Sequence, residues 1–196
     1  DIILPDIRFA EEQKVNLRGI ILTHAHEDHF GAIPYLWDKL QVPIYGTAFT
    51  LALLRCKLAE AKLPEKIPLH EIKYNVDYNF GAFTVEFVAL SHSIPDPAAL
   101  IIKTDKGQIL HTGDWKLDET PMLGGQTDVA RLKQIGEEGV IARIGDSTNA
   151  MVAGRTPSEA VARAGLTDVI ANAQQTVAIT CFASNVARIE SILSLI

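Results

Sequence analysis

A layered α/β fold is what this sequence of 196 residues predicts, and three observations carry the prediction. Short apolar runs of strand length alternate with helical segments along most of the chain. Residues 83–87 alternate large apolar side chains with polar ones at a period of two. The apolar run Gly19-Ile20-Ile21-Leu22-Thr23 opens directly into His24-Ala25-His26-Glu27-Asp28-His29, three imidazoles and two carboxylates within six positions. A strand that ends in such a cluster describes a metal site at the rim of a sheet.

The elements follow in order. Ile20–Thr23 predicts a buried strand. A helix is expected from near Gly31 to Leu40, with Pro34 tolerable only in its first turn. Val42–Tyr45 predicts a second strand, after which Thr47 is positioned to cap a helix to about Lys62, with Leu51, Leu54 and Leu58 on one face. Phe83, Val85 and Phe87, set against Thr84 and Glu86, predict a half-buried strand. Ala98–Lys103 and Gln108–His111 flank Asp105-Lys106-Gly107 as a hairpin with a tight turn. Beyond Gly124-Gly125 a helix is expected through about Glu138, then a strand Val140–Ile144. A helix over Pro157–Ala173, a strand Thr176–Cys181 and a helix from near Ser184 form a β-α-β-α run that reads as the start of a second unit.

Composition bounds the function. With 47% hydrophobic and 21% charged residues the chain is that of a globular protein. A net charge of −6 argues against a uniformly basic nucleic-acid surface, although bound cations would add charge that the sequence count omits. Cys56 and Cys181 form no C-x-x-C pair, so a reducing compartment is expected rather than a disulfide framework. No apolar run approaches the ~20 residues that a membrane-spanning helix needs, and no basic-then-apolar leader opens the sequence. A cytoplasmic protein with no membrane association is therefore expected. The sequence opens on Asp1 and closes on the apolar run Ser191–Ile196 inside a helical pattern, which reads as a piece of a longer chain.

The metal reading needs partners from elsewhere. His24 and His26, two apart, can point to one side where their strand ends, while Asp28 and His29 follow into the turn and can face a second ion. His92 in Leu90-Ser91-His92-Ser93 and Asp114 in His111-Thr112-Gly113-Asp114 stand at the ends of other strands and are the candidate further ligands. His70, in a Pro/Leu/Glu-rich connection, is expected to be exposed, and His111 to support or pack rather than to ligate. Glu27 is expected to face away. Two adjacent ions would activate a water towards hydroxide near neutral pH and stabilise charge in a phosphorane-like transition state. Asp28 is placed both to ligate and to orient that nucleophile.

The pattern His-x-His-x-Asp-His is the signature of the metallo-β-lactamase superfamily. Together with Gly31-Ala32-Ile33-Pro34-Tyr35-Leu36, Pro43-Ile44-Tyr45-Gly46-Thr47, Ser91-His92-Ser93-Ile94-Pro95, His111-Thr112-Gly113-Asp114-Trp115-Lys116, Gly145-Asp146-Ser147-Thr148-Asn149 and Phe182-Ala183-Ser184-Asn185, it closely resembles ribonuclease J, the bacterial branch of the β-CASP metallo-β-lactamase nucleases. Asp114-Trp115-Lys116 and the stretch 180–188 look like alphaproteobacterial members. The resemblance implies a partial metallo-β-lactamase αββα sandwich over residues 1–143 and the first part of a β-CASP α/β domain over 144–196. It implies two Zn2+, one on His24, His26, His92 and Asp114, the other on Asp28, His29 and a bridging Asp114. It implies a zinc-dependent endo- and 5′→3′ exoribonuclease of RNA decay and rRNA processing, paired as a homo-oligomer when full length.

Asp146 matches the acidic residue that opens the β-CASP region and supports a downstream histidine acting on the leaving group; without the family it reads as a turn or cap residue. The hydroxyl and free N–H groups near Ser184 and Asn185, with Ser147, are a candidate pocket for a 5′-monophosphorylated RNA end, beside the simpler reading of a helix cap. Histidines that the family carries beyond the β-CASP unit have no counterpart after His111. The isolated chain is therefore expected to hold one ion or weakly bound ions and to be inactive. The alternatives are another hydrolase of the same fold, whether a DNA-directed β-CASP nuclease or a small-molecule hydrolase, and a non-catalytic RNA-binding paralog. Manganese or magnesium are alternatives to zinc at the carboxylate-rich positions.

Overall fold

The computed structural model describes residues 3–63 and 67–195; Asp1 and Ile196, the two ends noted above, lie outside them. A short helix α1 (Arg8–Glu12) and a turn of 3-10 helix over Lys14–Asn16 lead into β1 (Ile20–Ile21). Next come α2 (Glu27–Phe30), α3 (Ile33–Leu40), β2 (Ile44–Gly46), α4 (Ala48–Glu60) and β3 (Leu69–Glu71). A meander of β4 (Asp77–Phe80), β5 (Phe83–Ala89), β6 (Ala98–Thr104) and β7 (Gly107–His111) follows. The chain continues through α5 (Val129–Glu138), β8 (Ala142–Ile144), α6 (Glu159–Ala171) and α7 (Val186–Leu193).

The strands make two sheets. One is parallel, in the order β1-β2-β3; the other runs β4-β5-β6-β7-β8, antiparallel except that β8 lies parallel to β7. Three apolar clusters show how the layers stack. Leu22, Ile44, Leu51, Leu54 and Leu58 join the parallel sheet to the helices over it. Val85, Phe87, Ala98 and Leu100 pack with Ile21 and Tyr45 between the two sheets. Val88, Ala99 and Ile101, on the opposite face of the same strands, pack under Ile135 and Leu132 of α5. The order helix, sheet, sheet, helix is an αββα sandwich, and the period-two alternation of β5 and β6 is what lets each strand serve two cores at once.

Several elements depart from the sequence prediction. The helix expected from near Gly31 to Leu40 is α3, with Pro34 in its first turn as expected, but a separate short helix, α2, precedes it over Glu27–Phe30. Thr47 occupies the N-cap position of α4, but its hydroxyl donates to the Asp96 carbonyl (3.0 Å) and meets the Thr50 hydroxyl (2.9 Å) instead of receiving a helical N–H. The hairpin β6-β7 is as expected and closes tightly through Asp105-Lys106, with Thr104 paired to Gly107 at φ +133°. His70 is exposed, as expected, but lies in β3, where its ring stacks on Tyr45. The predicted strand Thr176–Cys181 is a correction: the segment is exposed and without regular secondary structure, and no described strand pairs with it. β-branched residues favour extension, but a strand exists only where a second backbone completes the ladder. Among the described residues no helix is long and apolar enough to cross a membrane.

Glu86 is the sharpest departure. Period-two patterning puts it on the solvent face of β5, yet it is only 4% exposed, because α5 covers that face. Its carboxylate accepts two hydrogen bonds from Arg131, at 2.7 and 2.8 Å, and Lys103 approaches to 3.0 Å; the Arg131 guanidinium holds the carboxyl below its usual range. Arg131→Ala strips this buried carboxylate of its main partner. A loss of about 3 kcal/mol in urea unfolding is expected, the low end for a broken buried pair because Lys103 remains. A loss under about 1 kcal/mol would show that water reaches Glu86.

Candidate metal centre

The cluster forms where the carboxyl ends of several strands meet. β1 ends at Ile21, and Leu22 and Thr23 continue inwards before the chain turns at His26, the N-cap of α2. His24 is completely buried. Its Nδ1 lies 3.1 Å from the Thr23 hydroxyl, which leaves Nε2 facing inwards. Nδ1 of His26 stands 3.1 Å from that Nε2 and 3.1 Å from Nε2 of His92. His92 comes from the loop after β5. Ser91 fastens that loop by a bridge to Lys116 and a 2.6 Å hydrogen bond from its hydroxyl to the Lys116 carbonyl.

Asp114 comes from the loop after β7. Gly113 before it has φ +56°, and a Cβ there would press on Thr23 at 3.1–3.3 Å, so only glycine brings this loop so close to β1. His111 does not join the cluster; its Nδ1 accepts the Gly113 N–H (3.1 Å) and so shapes the turn that carries Asp114. Asp114 faces two ways. Its Oδ2 lies 4.0 Å from His24 Nε2 and 3.8 Å from His92 Nε2, while Oδ1 lies 3.3 Å from His29 Nε2. Asp28, exposed, stands 3.4 Å from His29 on that second side. Two groups result, His24/His26/His92/Asp114 and Asp28/His29/Asp114, each with its donor atoms within 4.8 Å of one another. Glu27 turns away, to a 2.7 Å ion pair with Lys57.

The donor set fits a divalent cation. Three imidazole nitrogens converge, and the 3.1 Å from His26 Nδ1 to each of the other two is close to the edge of about 3.3 Å expected around a tetrahedral ion with bonds near 2.05 Å. Neutral rings cannot all share protons across such a cluster, so the lone pairs repel unless a cation lies between them. The rings are held neutral. Burial, then the neighbouring histidines, push His24 down to about 2; burial, then His26, push His92 down to about 4; burial also lowers His26, opposed by the Ser184 backbone carbonyl. A neutral ring is the ligand form.

The remaining predicted residues are distributed around this cluster. β8 runs parallel to β7, the Thr112 N–H reaches the Ile144 carbonyl (2.9 Å), and the Asp146 N–H reaches the Thr112 hydroxyl (3.2 Å), so Asp146 arrives at the same rim as Asp114. Its carboxylate accepts from the Thr148 hydroxyl (2.6 Å) and N–H (2.8 Å), which hold it below the usual carboxylate range. Asp146 lines both a cleft of about 230 Å³ shared with His92 and Asp114 and a larger neighbouring cleft of about 910 Å³ that includes Ser147, Lys116 and Arg155. Ser184 and Asn185 stand at the head of α7, outside the lining of both clefts, and Asn185 Oδ1 accepts the Arg188 N–H (3.0 Å) as a helix cap. The supporting residues Thr23 and Ser93 carry no signal in the sequence; they are hydroxyls beside ligands, and only the fold shows which ring each meets.

Comparison with known proteins agrees with this arrangement. Residues 4–136 match the β-lactamase superfamily domain. Ribonuclease J of Sinorhizobium meliloti is 50% identical over 192 residues, covering 98% of this chain and 34% of that protein, in keeping with the alphaproteobacterial look of the sequence. Ribonuclease J2 of Bacillus subtilis is 41% identical over 193 residues, covering 98% of this chain and 35% of that protein. The chain thus spans about a third of the length of these relatives. The crystal structure of a protein of unknown function from Enterococcus faecalis superposes with a TM-score of 0.62 at 19% identity, over 90% of this chain and 44% of that one, a likeness of fold alone. A match from residue 4 to residue 136 takes in well over half of the sequence, and on that ground the chain belongs to the β-lactamase superfamily, with the metallo-β-lactamase fold and with ribonuclease J proteins among its relatives.

Proposed function

We propose that the protein to which this chain belongs is a zinc-dependent ribonuclease, acting on RNA as an endonuclease and a 5′→3′ exonuclease in RNA decay and rRNA processing, in the cytoplasm and as a homo-oligomer. The observation that carries the reading is the convergence of His24, His26, His92 and Asp114, continued by His29 and Asp28 across Asp114, in a chain 50% identical to a ribonuclease J. On this reading residues 1–143 form the metallo-β-lactamase unit and residues 144–196 begin the β-CASP unit.

When bound, two Zn2+ at this cluster supply a hydroxide nucleophile near neutral pH and positive charge for a phosphorane-like transition state. The chain's own residues do the rest. His24, His26 and His92 offer lone pairs that burial keeps free of protons. Asp114 sits between the two groups and offers each a carboxylate oxygen. Asp28, exposed at the mouth, can accept a proton from the attacking water and orient it towards the phosphate. Asp146 lies on the rim of the same clefts, where an acidic residue supports the group that acts on the leaving oxygen. Lys116 and Arg155, in the larger cleft, supply positive charge along a path for the RNA backbone in a chain whose net charge is −6. A 5′-monophosphate is the proposed end group, met by Ser147, Ser184 and Asn185.

The test uses the full-length protein with end-labelled RNA. Expected are cleavage of 5′-monophosphorylated RNA, its loss in a chelator, its recovery with zinc, and weaker action on the 5′-triphosphate. Equal cleavage of single-stranded DNA would move the assignment to a DNA-directed nuclease of the same fold, and cleavage indifferent to chelation would overturn it.

A further inference from the structure

We infer that Ser93 is a positioning residue of the metal centre: its hydroxyl meets the outer nitrogen of His26 and so fixes the ring with Nδ1 towards the ion. The inference rests on the metal reading above and adds to it a residue outside the ligand set. Ser93 Oγ lies 3.3 Å from His26 Nε2, on the side of the ring opposite the nitrogen that faces His24 and His92. A histidine ring carries two distinct nitrogens, and the partner of one decides which form presents a lone pair at the other. His24 has the same arrangement, with the Thr23 hydroxyl behind Nδ1 and Nε2 facing inwards. His26 follows it in mirror sense, with a hydroxyl behind Nε2 and Nδ1 facing inwards.

Ser93 is itself held from the far end of the chain. Its carbonyl accepts the N–H of Ala187 (3.2 Å), a buried residue in the first turn of α7. The next residue, Arg188, donates to the carboxylate of buried Glu159 at 2.6 and 3.2 Å. The Glu159 N–H reaches Asp118 Oδ2 (3.0 Å), and Asp118 pairs with Lys116 (3.2 Å) in the loop that follows Asp114. A continuous chain of polar contacts thus runs from the Asp114 loop through α6 and α7 to Ser93 and His26. The Ser184 backbone also favours a proton on the His26 ring, so some support remains when the hydroxyl is removed.

The experiment compares wild-type protein with Ser93→Ala by zinc titration against a chromophoric chelator and by ¹⁵N NMR of the imidazoles in the metal-free protein at pH 8. Expected are zinc binding weakened about 10-fold, the low end for a partner behind a ligand because Ser184 remains, and a His26 ring that changes from the Nε2–H form to a mixture of both forms. The other histidine signals should not move, which separates positioning from general loosening of the fold. Equal zinc affinity with an unchanged His26 ring overturns the inference alone. Wild-type protein that takes up no zinc overturns the metal reading and the inference with it.

Discussion

In the full-length protein, replacing Asp114 by alanine is expected to abolish metal binding at both halves of the cluster, where replacing His29 weakens one. Asp114 is the one residue common to the two donor groups, with Oδ2 towards His24 and His92 and Oδ1 towards His29. It is also one of two carboxylates in the whole set, the other being exposed Asp28, so its loss removes half of the negative charge available to balance the ions. Elemental analysis with chelator competition should show wild-type protein holding zinc and Asp114→Ala holding almost none after dialysis. In the full-length protein RNA cleavage should fall by more than about 100-fold, since loss of a partner behind a ligand already costs up to that factor. Wild-type zinc content in Asp114→Ala would remove Asp114 from the site.

Metal-free protein should lose stability as pH falls from 7 to 5. Unfolded histidine titrates near 6.5, whereas burial in the native state holds His24 down to about 2 and His92 down to about 4. Between those values the unfolded chain binds protons that the folded one refuses, so the stability present above pH 6.5 is lost as pH drops towards the folded values. Each ring contributes up to about 1.4 kcal/mol per pH unit. For two rings that is a large part of the 5–15 kcal/mol typical of a domain. The window stops at pH 5 so that the lowered carboxyls of Glu86 and Asp146 stay ionised throughout. Urea midpoints in a chelator should fall through this range, and more shallowly for His24→Asn, which has no ring to protonate. A flat profile in wild-type protein would mean that the rings take up protons without leaving the fold.

Much of the site was legible before the fold was known, because the hexapeptide 24–29 holds four of the six candidate donors within six positions after a strand. His92 and Asp114 were legible as residues closing apolar strands, and the structure brings both to His24 and His26. Glu86 was misleading for a physical reason. Alternation tells which residues share a face, but it does not tell whether a helix will cover that face. Thr176–Cys181 failed in the same way, since strand propensity reports readiness to extend and the partner must come from elsewhere.

By itself the sequence determined most of the element types, the β6-β7 hairpin with its glycine, the metal-type donor set and the family resemblance, because each depends on neighbours a few residues apart. Only the tertiary structure decided which carboxylate faces two ways, that Arg131 neutralises a buried Glu86, and that α7 reaches back through Ser93 to His26. Apart from Asp114 with His92, 22 positions apart, those contacts join residues 45 or more positions apart. No local pattern encodes such a meeting; it exists once two sheets have packed and the helices have closed over them.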